Sequence, residues 1–148
     1  MSIPQTHKVY RRTTGDLPRT IGVSTEQLPK ELGPNEVLIK IRAVSLNFRD
    51  IAMLDGRYLM QVEERGIPCS DAAAEVAAIG SAVTVFAIGD HVSVAWDLNN
   101  LSGYEDTSPC ALGGDVAGVL REYAVYDEKY LVPLPAHLSW EEVGSAFP

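Results

Sequence analysis

The sequence is poor in cysteine, in histidine and in basic side chains, and each shortage closes off a class of function. Two cysteines, Cys69 and Cys110, cannot build a disulfide framework and suit a reducing, intracellular compartment. The three histidines, His7, His91 and His137, lie far apart and none has a neighbour at metal-ligand spacing. A zinc site gathered from Cys69, Cys110 and His91 is the weaker reading of these scattered residues. Twelve lysines and arginines stand against 20 acids, for a net charge of −8. The tight basic clusters are only Lys8 with Arg11 and Arg12, and Lys40 with Arg42, too small to track a phosphate backbone. That excludes a nucleic-acid reader.

Nucleotide and hydrolase motifs are missing as well. There is no GxGxxG, because the nearest run, Gly113 to Gly118, has the wrong spacing and precedes a strand. Walker A, HExxH and nucleophile-elbow GxSxG sequences are also absent. The start, MSIPQTHKVYRR, has no apolar core and is not a signal peptide. One stretch, Ala72 to Gly89, carries a single charge, Glu75, and approaches the length of a membrane helix. Gly80-Ser81 interrupts it, and two buried strands around a turn are the expectation there.

The rest is an ordinary globular composition, 46% apolar and 22% charged over 148 residues, which suits one domain. Glu36 to Leu46 alternates: Val37, Ile39, Ile41, Ala43 and Ser45 share one face, and Leu38, Lys40, Arg42, Val44 and Leu46 the other. This period of two predicts a half-buried strand. Asn47 then caps a short helix over Phe48 to Leu54, ended by Asp55-Gly56. Further strands are expected at His7–Arg12, Ile21–Ser24, Asp71–Ile79, His91–Trp96, Val119–Tyr126 and Leu131–Pro133, separated by Gly, Pro and Asp clusters. Short strands at this spacing favour a mainly β barrel or sandwich. The loop from Asn99 to Gly118 is long enough to be functional or to cover something. Ser139 and Glu142 form a capping box at a helix start, and the chain reaches Pro148 about two turns later, which reads as an interrupted connection.

Three runs, taken in order, carry a resemblance. They are Ser45-Leu46-Asn47-Phe48-Arg49-Asp50 continuing to Asp55-Gly56-Arg57-Tyr58; Ile67-Pro68-Cys69-Ser70-Asp71-Ala72-Ala73-Ala74-Glu75-Val76, with Ile79-Gly80 and Phe86 to Val92; and Gly118 to Val125 with Leu138 to Glu142. In this order they resemble the N-terminal, GroES-like half of the medium-chain dehydrogenase/reductases, nearest to the zinc-independent, quinone-oxidoreductase-like branch. The resemblance implies a partly open β-barrel with short helices over residues 1–138, with 139–148 beginning the connection to a Rossmann domain that this chain lacks. It also implies that NADP(H) is bound mainly by that Rossmann domain.

The resemblance can be followed residue by residue. Zinc-using relatives place a Cys where Asn47 stands, a His at Ser70 and a Glu at Asp71, and their four-cysteine lobe corresponds to Trp96–Gly118, which holds only Cys110. Neither zinc site is expected, so a carbonyl substrate must be polarised by hydrogen-bond donors or protonated by solvent. Asn47 is the first candidate donor, and a plain strand-to-helix cap is its alternative. Tyr58 closes the cleft with its hydroxyl or is a half-buried barrel tyrosine. Phe48, Arg49, Asp50 and Asp71 are placed at the substrate or cofactor cleft. Arg49 binds substrate or phosphate, or else pairs with Asp50 or Glu75; Asp71 orients Arg49 or caps a turn. Cys69 replaces a family glycine and Ala72 to Ala74 fill a normally glycine-containing run, which narrows backbone approach if those positions need positive φ.

The expected function is therefore the catalytic-domain part of a cytoplasmic, zinc-independent NADP(H)-dependent reductase of quinones, enones or other carbonyl compounds. A non-catalytic GroES-like binding or regulatory module and a zinc-type alcohol dehydrogenase fragment are the rivals. The expected partners are a small-molecule carbonyl or quinone substrate and further copies of the chain, through uncovered barrel surface and strand edges.

Overall fold

A computed structural model describes residues 3–105 and 107–144. Two antiparallel strands, β1 (Thr6–Arg12) and β2 (Ile21–Gln27), form an N-terminal hairpin with Thr6 opposite Gln27 and Arg12 opposite Ile21. The inward His7 and Val9 of β1 are buried. Val9 bridges to Arg121 and the Tyr10 N–H donates to the Leu120 carbonyl at 3.1 Å, which fastens the hairpin to the main sheet.

That sheet has five antiparallel strands: β3 (Glu36–Ser45), β4 (Asp71–Ile79), β5 (His91–Val94), β6 (Tyr123–Asp127) and β7 (Leu131–Pro133). Their order across the sheet is β6-β3-β4-β5-β7. β6 and β7 lie at opposite edges, yet only the 3₁₀ turn Glu128–Tyr130 joins them. In a flat sheet four strand spacings would separate those edges by about 19 Å. A 3₁₀ turn advances about 2 Å per residue and cannot bridge that gap. The sheet must curl until its edges approach, and this produces the half-barrel. Its interior is lined by Val37, Ile39, Val76, Val92, Leu112 and Val119, all fully buried.

The β3–β4 register shifts at two points, between Leu38 and Ile39, where Ala77 of β4 is passed over, and between Ile41 and Ala43, where the alternation expected along β3 itself fails. Ile41 lies opposite Ala74, but Ala43 lies opposite Ala73, so Arg42 is an extra residue on its strand. A bulge of this kind reverses which face the following side chains occupy. Val44, expected on the face away from Ile41, instead packs against the same core. Arg42 swings outward to an ion pair with Glu75.

Several expected strands also change their bounds, and β2, expected over Ile21–Ser24, runs on to Gln27. Of the run from Ala72 to Gly89 only β4 is a strand, and residues 80–90 turn back across the end of β3. The Gly80 N–H donates to the Glu36 carbonyl and the Ala82 N–H to the Pro34 carbonyl, while Val83 and Phe86 enter the core. Similarly, β6 begins at Tyr123 rather than Val119, because the N–H groups of residues 118–120 are taken by the carbonyls of residues 67–69. β5 stops at Val94, and the Ala95 N–H donates to the Tyr130 carbonyl.

Two short helices complete the fold, α1 (Phe48–Leu54) and α2 (Trp140–Gly144). The capping box expected at Ser139 is formed: its hydroxyl accepts from the Glu142 N–H at 3.2 Å and the Glu142 carboxylate accepts from the Ser139 N–H at 2.9 Å. α2 packs on β3 and β4, with the Trp140 ring 3.9 Å from that of His91. Among the described residues no helix is long and apolar enough to cross a membrane.

Candidate functional site

The candidate residues gather where β3 runs into α1 and β4 begins. Ser45, the last residue of β3, lies directly opposite Asp71, the first of β4. Asn47 therefore reaches the start of β4 although 24 residues separate it from Asp71. Its backbone is extended (φ −112°, ψ 158°), as an N-cap requires. Its amide nitrogen donates to the Asp71 carboxylate, and the Ser70 hydroxyl donates to the same oxygen, Oδ2, at 3.0 Å. Asp71 thus holds Asn47 and Ser70 together; it does not contact Arg49, the alternative weighed for it.

Asp50 is buried and structural in its contacts. One carboxylate oxygen accepts from the Asn47 backbone N–H at 2.9 Å, and the other from the Cys69 N–H at 3.0 Å. The helix N-terminus and the 67–69 segment are thereby tied to one charge. Phe48 points outward, 72% exposed, with the Arg57 guanidinium over its ring at 5.7 Å. Leu46, Ile51, Leu59 and Met60 are also exposed around α1, so the site is bordered by uncovered apolar side chains.

Arg49 pairs with neither Asp50 nor Glu75. Its Nε donates to the Tyr58 hydroxyl at 3.0 Å and its Nη1 to the Leu112 carbonyl at 2.8 Å. Glu75 is engaged by Arg42 across the β3–β4 pair, which removes it from reach. Gly114 leaves room for the guanidinium, since a Cβ there would lie 2.6 Å from Nη2.

Arg12 is a residue that the sequence reading passed over as part of a small basic cluster. It is 1% exposed and donates to the Gly113 carbonyl at 2.6 Å and the Glu63 carbonyl at 3.1 Å. Arg12 and Arg49 thus hold consecutive carbonyls, those of Gly113 and Leu112, and pin the 111–118 loop beneath the site. Burial lowers the Arg12 pKa from its ordinary value.

Cys69 adopts φ +69°, the left-handed region that glycine favours, while Ala72, Ala73 and Ala74 are ordinary buried strand residues. The expected narrowing applies at Cys69 and not at the alanine run. Burial, and next the neighbouring Asp50 carboxylate, push the Cys69 thiol up to about 12 from 9.0. The folded state holds this proton more tightly than the unfolded chain does. The stabilisation is fully present below about pH 9 and is lost progressively as the pH rises towards 12. In the native chain Cys69 is expected to resist iodoacetamide at pH 8 while the half-exposed Cys110 reacts, with Cys69 labelled only after denaturation. Mass mapping of the labelled peptides checks this, and equal labelling of both cysteines would contradict the burial described.

The Asn47–Ser70–Asp71 cluster does not suit zinc. Asn47, Ser70 and Asp71 offer an amide, a hydroxyl and one carboxylate whose Oδ2 already accepts two hydrogen bonds, and the adjacent Cys69 is held as a thiol. Among the described residues no group of three His, Cys, Asp or Glu side chains is placed to hold a metal ion.

Comparison with known proteins agrees with this architecture. The alcohol dehydrogenase GroES-like domain model matches residues 33–136. A zinc-type alcohol dehydrogenase-like protein of Schizosaccharomyces pombe is 36% identical over 121 residues, 80% of this chain and 35% of that protein. A quinone oxidoreductase of Pseudomonas aeruginosa is 34% identical over 117 residues, 79% of this chain and 30% of its own length. The crystal structure of an NAD-dependent alcohol dehydrogenase superposes with a TM-score of 0.75 at 28% identity, over 93% of this chain and 42% of that one. The chain spans about a third of the length of the curated relatives it matches. On the match over residues 33–136 and the half-barrel beneath it, this chain belongs to the alcohol dehydrogenase GroES-like domain family.

Proposed function

We propose that this chain is the catalytic-domain part of a zinc-independent, NADP(H)-dependent reductase acting on quinones, enones or other activated carbonyl compounds. The observation that supports the reading is the hydrogen-bonded Asn47–Asp71–Ser70 cluster, at the three positions where the resemblance implies that zinc-using relatives carry Cys, Glu and His. Reduced nicotinamide supplies the hydride, and these residues do not supply its site, since the sequence has no GxGxxG turn. Asp71 accepts one N–H of the Asn47 amide and fixes the plane of that group. The second N–H of the amide is then free to donate to a substrate oxygen as negative charge gathers there. In this reading Tyr58, held by Arg49, closes the substrate cleft with its hydroxyl, and the exposed Phe48, Leu59 and Met60 supply apolar wall for a ring or an alkene. That apolar row is covered in the working protein by the rest of the reductase or by a second copy.

The test is NADPH oxidation by the protein in its natural length, with a quinone and an enone as acceptors. Asn47→Ala is expected to lower kcat by about 100-fold, the scale seen when one oxyanion donor is removed. Dialysis against a chelator is expected to leave the wild-type rate unchanged. Stoichiometric zinc in the purified protein, with activity abolished by the chelator, would favour the zinc-type alternative. Tight binding of an acceptor with no hydride transfer from either NADPH or NADH would favour a binding module.

A further inference from the structure

The hydrogen bond between Arg49 and Tyr58 has a direction, and that direction decides what the pair can bind. The guanidinium has only donors, so its Nε–H, 3.0 Å from the phenol oxygen, must use a lone pair of Tyr58. The Tyr58 O–H is then left pointing at some other acceptor. Among the described residues none accepts it, although the ring is half-buried. Among the described residues Arg49 also has no ion-pair partner. The described ion pairs use Arg11, Arg42 and Arg57, and Arg49 spends its other bond on the neutral Leu112 carbonyl. Asp50, the nearest acid in sequence, is engaged with the N–H groups of Asn47 and Cys69. Gly114 keeps Nη2 free of a side chain on one flank, and the 111–118 loop below is held by the buried Arg12.

We infer that Arg49 and Tyr58 form an oxyanion-binding site, in which Tyr58 donates its O–H to a phenolate- or enolate-type oxygen while Arg49 holds the phenol and supplies the positive charge. Arg49 is a positioning residue here, acting through Tyr58. A cation donating into the phenol oxygen strengthens the phenol as a donor, because polarisation along a chain of hydrogen bonds is cooperative. Neutral ligands gain little from this arrangement, so the site discriminates by charge and not by shape alone. The inference rests on the reductase reading for its biological meaning, since hydride addition to an enone or quinone leaves negative charge on oxygen. Its physical content is separable from that reaction.

The experiment uses the protein in its natural length with 4-nitrophenolate as the probe and 4-nitroanisole as its neutral counterpart, followed by absorbance titration and by the Nε–H resonance of Arg49. The phenolate is expected to bind at least tenfold more tightly than the anisole, with its ionisation midpoint moved to lower pH when bound. Tyr58→Phe is expected to lose that tenfold preference. Arg49→Met should lose it as well, and Arg49→Lys, which keeps the charge, should recover part of it. Arg49 also supports the Leu112 carbonyl, so circular dichroism checks the fold of its variants. Tyr58→Phe leaves that support intact and decides the matter if they fail to fold. Equal binding of the two probes, or wild-type phenolate affinity in Tyr58→Phe, overturns the site. A protein that binds phenolate selectively yet never oxidises NADPH keeps the site and removes the reductase reading. One that reduces enones but shows no preference for phenolate does the reverse.

Discussion

Gly118→Ala is expected to lower the melting temperature by about 10 °C, corresponding to roughly 3 kcal/mol in a domain of this size. A Cβ on residue 118 would lie 2.1 Å from the Cys69 carbonyl oxygen, 2.4 Å from that of Pro68 and 2.7 Å from that of Ile67. All three obstacles are backbone atoms, so no side-chain rotation relieves the clash. The two segments would have to separate, breaking the bonds from the N–H groups of Gly118, Val119 and Leu120 to the carbonyls of Ile67, Cys69 and Pro68. Residue 69 yields poorly, because it is already in the left-handed region and its N–H is held by Asp50. Gly89→Ala is the control. Gly89 has φ +94° but nothing within 4 Å of the new methyl group, so only the backbone term of about 1 kcal/mol should appear. Thermal denaturation followed by circular dichroism separates the two, and a Gly118→Ala shift no larger than that of Gly89→Ala would show that the segments are not packed as described.

Arg12→Met is expected to cost about 2–4 kcal/mol in urea denaturation. Two effects oppose each other here. Removing a desolvated charge is favourable in itself, and buried ion pairs replaced by apolar side chains are often no less stable. The partners of Arg12, however, are the backbone carbonyls of Gly113 and Glu63, which cannot be removed with it. Methionine keeps the approximate volume but leaves the Gly113 carbonyl without its donor and the Glu63 carbonyl with only the Gly66 N–H. The loss of hydrogen bonds should therefore exceed the relief of desolvation. Arg12→Lys restores one donor group and should fall between wild type and Met. A Met variant as stable as wild type would mean that burying the guanidinium costs the fold as much as its bonds return.

What could be read from the sequence follows from how local its physical cause is. The alternation from Val37 to Ile41, the helix over Phe48–Leu54 and the Ser139–Glu142 capping box all depend on neighbours within a few positions, and all are present. The bulge at Arg42 is invisible because its flanking residues continue the same alternation, and only the partner strand reveals the extra residue. The segment from Val119 to Glu122 looks like the start of a strand, but the N–H groups of Val119, Leu120 and Glu122 go to distant carbonyls and that of Arg121 turns back to Val119. Asn47 and Asp71 were legible as candidates through family resemblance. Their contact depends on the β3–β4 register, and the Leu112 carbonyl that Arg49 holds lies in a loop 63 residues away. Arg12 gave no signal, since it breaks the inward pattern set by His7 and Val9.

The short 3₁₀ connection between β6 and β7 bears on how the chain folds. β3, near the N-terminus, is flanked in the finished sheet by β4 on one side and by β6 on the other. Its pairing of Val37 with Tyr126 joins residues 89 positions apart, a contact of high order that forms slowly because a long loop must first close. A nascent chain emerging from the ribosome therefore carries β3 with one edge bare until residue 127 has been made. During that interval the unpaired edge, with Leu38 and Ile39 beside it, is the part of the polypeptide most open to chaperones and to pairing with another copy of itself.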